Sequence, residues 1–238
     1  MTEMDRRIFY SPDFESTNEL PEDESAHCLR VLRYGIGDEI EVTDGRGHFY
    51  KARISSTIGK RCHADVAERI GWVKPWTNHI HIAVAPTKNM ERIEWMVEKM
   101  TEIGFDELTF VNCRYSERRV VKLDRVERIV VSAMKQSHKA VKPILNEMTD
   151  YEDFIARSLP GRRMIAHCHD GHKEFLTATL RHGEDVVLLI GPEGDFSEDE
   201  VSHAIAAGYE PVSLGNSRLR TETAAMVGCV AINLRNQM

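Results

Sequence analysis

The sequence predicts an α/β domain with a parallel sheet, preceded by a small β-barrel. Short β-like segments separated by turns fill residues 7–72, whereas β-like and helical segments alternate after residue 79. Such alternation favours a parallel sheet with right-handed crossovers. Two glycine-bearing turns, within 190–194 and 214–219, each follow an apolar run and precede a helical pattern. Open α/β sheets form ligand crevices in this way, at the carboxyl ends of their strands.

The composition is that of an ordinary globular protein, with 238 residues of which 42% are hydrophobic and 29% charged. The N-terminus lacks the apolar core of a signal peptide, and the longest aliphatic run, residues 186–190, is too short to span a bilayer. We therefore expect a cytoplasmic protein. The five cysteines are odd in number and form no Cys-x-x-Cys pair, which indicates reduced thiols rather than disulfides or a zinc ribbon.

Charge is unevenly distributed along the chain. The formal net charge is -7, yet residues 114–142 hold nine Lys or Arg against three acids. Residues 184–210 hold eight acids and neither Lys nor Arg. A basic stretch is most often a solvated helix face, but here contact with phosphate is a competing hypothesis, because a β-module precedes the α/β domain.

The first predicted domain, residues 1–73, contains short strands and one short helix. Segments 38–43 and 48–54 flank the turn Asp44-Gly45-Arg46-Gly47 and predict a hairpin. Further strands are predicted at 7–10 and 62–67. A helix over 24–32 would place His27, Arg30 and Arg33 on its wet side. Residues 71–77 are typical of a linker into the second domain, residues 74–238.

The second domain has clear signals for strands and helices. Met90, Ile93 and Met96 begin an apolar stripe that Gly104 ends, and Ser197 to Glu200 form a capping box. The strand at 185–190 is apolar enough to be buried on both faces. Strands are predicted at 79–85, 107–111, 163–168, 185–190 and 211–214, and helices at 87–103, 124–139, 197–208 and 221–235.

Several familiar site motifs are absent from the sequence. It has no P-loop, no Gly-x-Gly-x-x-Gly after a strand and no Gly-x-Ser-x-Gly elbow. His167-Cys168-His169 could suggest a metal site, but alternation along a strand points Cys168 away from the two histidines. We interpret this segment as the polar rim of a crevice and expect no metal.

The polar residues at 218–223 exceed what a turn requires. Thr221 can serve as the N-cap of the last helix, and Glu222 suits the positive end of the helix dipole. Neither role explains Arg218 or Arg220. The turn at 191–194, taken alone, is equally well explained as the end of a buried strand.

Together these segments resemble the SPOUT superfamily of knotted methyltransferases. The motifs are Leu-Ile-Gly-Pro-Glu-Gly at 189–194, Leu-Gly at 214–215 and Arg-Leu-Arg-Thr-Glu-Thr-Ala at 218–224. The closest pattern is that of the family that methylates N3 of a uridine in small-subunit ribosomal RNA. Further matching segments lie at 6–10, 27–33, 98–104, 116–118 and 135–137 and extend over nearly the whole chain. Lys139 departs from the arginine common in that family, which puts bidentate phosphate contact there in doubt.

The resemblance implies a deep trefoil knot near the C-terminus that binds S-adenosylmethionine, a PUA-like N-terminal barrel that holds RNA, and a homodimer with its catalytic pocket near the interface. Glycines in such turns let the backbone approach a cofactor closely. The implied cofactor-binding residues are Leu189, Ile190, Gly191, Gly194, Leu214, Gly215, Leu219, Thr221 and Thr223.

Catalysis would require removal of the proton from uridine N3, which is a poor nucleophile while protonated. We expect either a cation that stabilises the uridine anion or a general base. Arg220 is the candidate cation and Glu222 the weaker candidate base. The candidate phosphate contacts are Arg6, Arg7, Arg30, Arg33, Arg118 and Arg119.

The preferred hypothesis is therefore an S-adenosylmethionine-dependent 16S rRNA uracil-N3-methyltransferase. One alternative keeps the fold and cofactor but methylates a ribose 2′-hydroxyl. The other is a non-catalytic RNA-binding factor in ribosome assembly.

Overall fold

The computed structural model describes residues 7–237, which divide into two compact units. The first is the described part of Met1–Lys74 together with Val131–Lys142, and the second is Pro75–Val130 together with the described part of Pro143–Met238. The division near residue 74 coincides with the linker expected from the sequence. The inclusion of residues 131–142 in the first unit has no counterpart in the sequence pattern.

The first unit is built on a four-stranded sheet in the order β1-β2-β3-β4. Strands β1 and β2 are parallel, and the predicted hairpin β2-β3 and the β3-β4 pair are antiparallel. The core includes Phe9, Phe14 and Tyr50. The elements are β1 (Ile8–Tyr10), α1 (Phe14–Thr17), α2 (Glu22–Ala26) followed by a π-helical turn (His27–Val31), β2 (Glu39–Thr43), β3 (His48–Ile58) and β4 (Arg61–Gly71).

Backbone hydrogen bonds extend this sheet beyond β4. Leu20 N donates to Cys62 O at 2.9 Å, and Ala64 N donates to Asn18 O at 2.9 Å. The segment that follows β1 therefore lies along the free edge of β4 and extends the sheet.

Residues 131–142 belong with the first unit because they bind its hairpin. Gly47 N donates to Ala140 O at 2.8 Å, and Lys142 N donates to Gly45 O at 2.9 Å. Ala140 is also buried against Ile8 and Phe49. These contacts join segments far apart in the chain, which local periodicity cannot reveal.

The second unit is a seven-stranded parallel sheet in the order β7-β6-β5-β10-β8-β11-β9, with helices between the strands. All five residues of β5 and all five of β10 are buried, as expected for central strands. Its elements are β5 (Ile80–Val84), α3 (Met90–Ile103), β6 (Glu107–Asn112), the first part of α4 (Leu123–Gln136, of which residues 131–136 belong to the first unit), β7 (Ile144–Asp150), α5 (Tyr151–Ile155), β8 (Arg162–Ala166), β9 (Glu174–Phe175), α6 (Leu176–Thr179), β10 (Val186–Ile190), α7 (Glu198–Ala206), β11 (Glu210–Ser213) and α8 (Thr221–Arg235).

Four elements of this unit were not predicted: β7, α5, β9 and α6. Strand β7 lies at the sheet edge and alternates exposed and half-buried residues, so it lacks the apolar run that marks the central strands. Helix α3 begins at Met90 rather than residue 87, because the Asn89 side chain accepts a hydrogen bond from Glu91 N at 2.9 Å and caps the helix. Helix α4 ends at Gln136 rather than residue 139, shortly before His138 takes a left-handed φ of 53°.

Helix α8 packs closely on the centre of the sheet. A Cβ on Gly228 would stand 2.2 Å from Leu188 Cδ2 of β10, so a side chain there would overlap the buried Leu188 side chain. Asn233 donates to the carbonyl of Gly104 at 3.0 Å, just after α3. Gly104 has a φ of 119°, which favours glycine, and a Cβ there would overlap the ring of Trp76.

Two further observations concern the chain as a whole. Within residues 7–237, every helix is too short or too polar to cross a bilayer. Each of the five cysteines is a free thiol, and all but Cys168 are buried.

A polar cluster around the buried His81 lies toward the amino ends of β5, β6 and β7, away from the carboxyl edge. His81 Nε2 lies 2.8 Å from Thr109 Oγ1, and His79 Nε2 lies 2.9 Å from Glu107 Oε2. Burial lowers the pKa of His81 to about 4 despite the nearby carboxylate of Glu107. Burial opposes ionisation of Glu107, but His81 and the hydrogen bonds from Asn146 and His79 hold its pKa below its ordinary value.

These shifts predict loss of stability in mild acid. The unfolded chain binds a proton at His81 near pH 6.5, whereas the folded chain binds it only near pH 4. The free energy of unfolding therefore decreases as pH falls from 6.5 to 4. We expect the free energy of unfolding of His81→Gln to change less than that of the wild type across this pH window, with a difference on the order of 3 kcal/mol. Urea denaturation at several pH values measures it. His172→Gln, at an exposed site, is the control; an unchanged pH slope in His81→Gln would contradict the assignment.

Candidate active site

Three loops meet at the carboxyl edge of the parallel sheet. They follow β8, β10 and β11, which are neighbours in the sheet order. Parallel strands deliver their following loops to the same edge, where ligand crevices form. The two glycine-bearing turns singled out in the sequence are the loops after β10 and β11.

The loop after β10 is closely packed. A Cβ on Gly191 would lie 3.0 Å from the buried ring of Phe196 and 3.2 Å from its backbone nitrogen. Asp195 has a left-handed φ of 65°, and its carboxylate accepts from Phe196 N at 2.9 Å and from Cys168 N at 2.7 Å. The Asp195 side chain therefore joins the loop after β10 to the loop after β8.

A second connection joins the loop after β10 to helix α8. The Thr221 hydroxyl donates to the carbonyl of Gly191 at 3.0 Å. The sequence-based prediction that Thr221 is the N-cap is wrong: Thr221 is the first helical residue, and Arg220 occupies the N-cap position without a side-chain cap bond. The hydroxyl binds the neighbouring loop instead of the first turn of its own helix.

Two adjoining cavities, here called the central cleft, lie among these loops. One has a volume of about 400 Å³ and is lined by Ile190, Gly191, Leu219 and Thr221 among others. The other has a volume of about 380 Å³ and includes Leu214 and Gly215 in its lining. They share the residues Ala166, Cys168, Arg218, Leu219 and Ala224.

The central cleft has features of a binding site rather than a packing defect. His167 lines it, and both ring nitrogens of His167 are buried without a hydrogen-bond partner among the described residues. Burial lowers the pKa of His167 to about 4, so the ring is neutral at neutral pH and can accept or donate a hydrogen bond. Gly215 has a φ of 134°, and a Cβ there would meet nothing within 4 Å, so the backbone is open to a ligand.

A third cavity, here called the helix cleft, lies between the first turns of α3 and α8. Its volume is about 750 Å³, and its lining includes Asn89, Arg92, Trp95, Glu222 and Thr223. It shares Arg218, Leu219 and Arg220 with the central cleft. The two clefts therefore adjoin across the loop that precedes α8.

Two charged residues at the start of α8, the N-cap residue Arg220 and Glu222 of the first turn, line the helix cleft in different environments. Arg220 is exposed and lines both clefts. Glu222 is 6% exposed, and its Oε1 lies 3.7 Å from Arg92 Nε. Its Oε2 is buried without a hydrogen-bond partner among the described residues.

Most of the predicted cofactor-binding residues line the central cleft. Thr223 lines the helix cleft, whereas Leu189 and Gly194 line neither cleft. Leu189 is buried in the core, and a Cβ on Gly194 would lie 3.1 Å from Tyr115 Cβ. The six that line the central cleft are Ile190, Gly191, Leu214, Gly215, Leu219 and Thr221.

The arginines predicted to contact phosphate are distributed over both units. Arg7 lines a cavity of about 700 Å³ in the first unit, and Arg30 and Arg33 are exposed in that unit. In the second unit Arg119 is exposed, whereas Arg118 donates to the carbonyls of Thr87 at 3.1 Å and Lys88 at 2.6 Å. Arg6 lies outside the described residues.

Sequence reasoning missed several residues of the two clefts. Asp195 follows the turn at 191–194 directly, but a lone acid carries no signal for its role in joining loops. Arg92 and Trp95 lie beside the apolar stripe of α3, and an aromatic residue on an otherwise polar face was the available signal. Among residues 7–237, no group of three or more potential ligands is arranged to hold a metal ion.

Comparison with known proteins gives consistent matches over nearly the whole chain. Residues 74–233 match the model of an RNA methyltransferase domain, and residues 20–67 match that of an RNA methyltransferase PUA domain. A crystal structure of a probable rRNA-methyltransferase from Porphyromonas gingivalis is 46% identical, covers 97% of this chain and 98% of its own, and has a TM-score of 0.91.

Two relatives carry a more specific description, ribosomal RNA small subunit methyltransferase E. The protein from Bacillus subtilis is 25% identical over 98% of this chain and 94% of its own length. The structure from Neisseria gonorrhoeae, bound to S-adenosyl methionine, is 27% identical, covers 96% of this chain and 97% of its own, and has a TM-score of 0.85.

The hydrogen bond between Thr221 and Gly191 yields a prediction. Thr221→Val keeps the shape but removes the hydroxyl, and we expect it to lower the free energy of unfolding by about 1 kcal/mol. Thr221→Ser keeps the donor and serves as the matched control. Urea denaturation compares the two variants, and equal destabilisation by both would show that the hydroxyl does not stabilise the loop.

Proposed function

The chain belongs to the RNA methyltransferase family, and we propose that it transfers a methyl group from S-adenosylmethionine to N3 of a uridine in 16S rRNA of the small ribosomal subunit. The observation that carries this proposal is the adjoining pair of clefts at the carboxyl edge of the sheet. A methyl transfer needs a donor site and an acceptor site in contact. The names of the Bacillus and Neisseria relatives support the ribosomal substrate.

The central cleft fits S-adenosylmethionine. Its two cavities have the size of ordinary cofactor pockets. The open backbone at Gly215 and the unpartnered nitrogens of His167 offer polar contacts, and Ile190, Leu214 and Leu219 supply apolar surface. When bound, the cofactor supplies an electrophilic methyl group on a sulfonium. Gly191 and Thr221 hold the wall of the cleft, and Leu189 and Gly194 contribute packing behind it.

Arg220 and Glu222 are the proposed catalytic residues. Uridine N3 carries a proton and becomes a competent nucleophile only when that proton leaves. Arg220 lies where the two clefts meet and can stabilise the negative charge that develops on the uracil ring. The buried carboxylate of Glu222 faces the helix cleft and is placed to act as the base.

RNA contact is proposed for exposed arginines of both units. Arg7, Arg30 and Arg33 in the first unit, and Arg119 in the second, can bind phosphate without reading sequence. Arg6 is proposed with them from its sequence position alone. Arg118 is the weakest candidate, because its guanidinium already binds two backbone carbonyls.

We further propose that the loops of the central cleft belong to a trefoil knot and that the protein is a cytoplasmic homodimer. Support for the knot comes from the convergence of the loops after β10 and β11 beside the first turn of α8. Gel filtration with light scattering tests the dimer.

The decisive experiment uses small ribosomal subunits from cells that lack this protein. Incubation with the protein and S-adenosylmethionine should give 3-methyluridine, identified by mass spectrometry of the digested RNA, at a single mapped position. Appearance of a 2′-O-methylated nucleoside instead would replace the proposal with a ribose methyltransferase. Calorimetry that detects no S-adenosylmethionine binding would leave a non-catalytic RNA-binding factor.

Replacement of Arg220 separates catalysis from cofactor binding. We expect Arg220→Ala to lower single-turnover methyl transfer roughly 100-fold, the usual cost of removing one donor that stabilises a developing anion. The affinity for S-adenosylmethionine should change much less. Arg181→Ala, at an exposed arginine, is the control. Collapse of cofactor affinity with unchanged single-turnover chemistry would assign Arg220 to the cofactor instead.

A further inference from the structure

Trp95 presents an exposed aromatic surface at the helix cleft. Helix α3 buries its neighbours Ile93 and Met96 almost completely, whereas Trp95 is 42% exposed and lines the cleft. The π-face of an aromatic side chain is a stacking surface for any nucleobase. Trp95 lines the same cleft as Arg218, Leu219 and Arg220, which also line the central cleft, so this cleft suits the base that receives the methyl group.

Glu222 supplies an unfilled acceptor in the same cleft. A buried carboxylate is costly unless its oxygens are hydrogen-bonded. Glu222 Oε2 has no partner among residues 7–237, and Oε1 is 3.7 Å from Arg92 Nε, beyond hydrogen-bond distance. A ring N–H group is the kind of donor that this carboxylate lacks.

The size and position of the cleft restrict its ligand. A volume of about 750 Å³ accommodates a nucleoside, and the charged residues of the lining are Arg92, Arg218 and Arg220 with Glu91 and Glu222. The residues shared with the central cleft, Arg218, Leu219 and Arg220, separate the two spaces by a single loop.

We propose that the helix cleft binds the target uracil, with Trp95 as its stacking surface and Arg92 as the residue that positions the Glu222 carboxylate. This assignment rests on the proposed function. In the reaction, the N3–H bond breaks and its proton passes to Glu222. The N3 lone pair forms a bond to the methyl carbon as the carbon–sulfur bond breaks, with that electron pair leaving on sulfur. Glu222 then returns its proton to solvent.

Arg92 acts through Glu222 rather than on the base. Its guanidinium, 40% exposed, is the cationic partner of a carboxylate that is 7% exposed. An ion pair of this kind fixes the direction of the carboxylate. Arg92 is therefore a positioning residue, and replacing it should affect the reaction only while the Glu222 carboxylate is present.

Substitution of Trp95 tests the stacking surface. Trp95→Leu keeps an apolar side chain without a π-face, and Trp95→Phe keeps a ring. We expect Trp95→Leu to weaken binding of small subunits from cells lacking the protein by roughly 5-fold or more, the effect of one lost stacking contact. Trp95→Phe should retain most of the wild-type affinity for the small subunits. Lys99→Ala, elsewhere on α3, is the control and should bind as wild type.

Three measurements decide the Trp95 result. Calorimetry should give S-adenosylmethionine affinities within about 2-fold of wild type, as expected for a site outside the cofactor cavity. Light scattering should give an unchanged oligomeric state. Wild-type RNA affinity in Trp95→Leu would overturn the proposal, and so would a changed oligomeric state, which would place Trp95 in a subunit interface.

A double-mutant cycle tests Arg92. Arg92→Ala and Glu222→Gln should each lower the single-turnover rate with KM for the RNA changed much less. If Arg92 acts only through the carboxylate, the double variant should be no slower than Glu222→Gln alone. Arg92→Lys should recover part of the rate. Additive losses, or a loss confined to KM, would overturn the positioning role.

The product formed by the wild-type protein distinguishes failure of the proposed function from failure of the helix-cleft assignment. If wild-type protein yields no 3-methyluridine, the proposed function itself fails. If it yields 3-methyluridine while the Trp95 and Arg92 variants behave as wild type, only the assignment of the helix cleft fails.

Discussion

The site depends on how the first turn of α8 is held against the end of β10. The Thr221 hydroxyl binds the Gly191 carbonyl at 3.0 Å, and farther along the helix Gly228 lets α8 approach Leu188 more closely than any side chain would allow. Both contacts join the last helix to a central, fully buried strand. The positions of Arg220, Glu222 and Thr223 are therefore set by core packing.

The two clefts that meet at this turn both carry charged residues. Glu193, Asp195 and Lys173 line the central cleft beside its apolar side chains, and two carboxylates and three guanidiniums lie around the helix cleft. Glu222 sits in the first turn of α8, where the helix dipole favours a negative charge, and Arg92 adds a counter-charge from α3. These two effects explain how a carboxylate with one unpartnered oxygen is retained in a buried place.

The basic segment of the chain serves more than one purpose. Arg118 holds the loop after β5 through two backbone carbonyls, and Lys135 pairs with the buried Glu24 inside the first unit. Other basic residues of the segment, such as Arg119 and Lys122, remain exposed. The local excess of positive charge is thus divided between structural pairs and surface available to phosphate, although the total charge of the protein is negative.

The sequence alone determined the fold class, the central strands, the last helix and the two turns that form the central cleft. Buried parallel strands and amphipathic helices are encoded by local periodicity, and glycine-bearing turns are encoded by composition, so neighbouring residues suffice to predict them. The bounds of α8 follow from such signals. The grouping of Gly191, Leu214 and Leu219 came from the resemblance to a known family, and all three line the central cleft.

Only the tertiary structure decided the edge strand β7, the membership of residues 131–142 in the first unit, the bond of Thr221 and the pairing of Arg92 with Glu222. The edge strand lacks a buried apolar run, and the other three depend on contacts between residues distant in the chain. A hydroxyl at a helix start has two potential acceptors, its own first turn and a neighbouring loop. Packing places the carbonyl of Gly191 within reach of Thr221, and that proximity is a property of the folded chain alone.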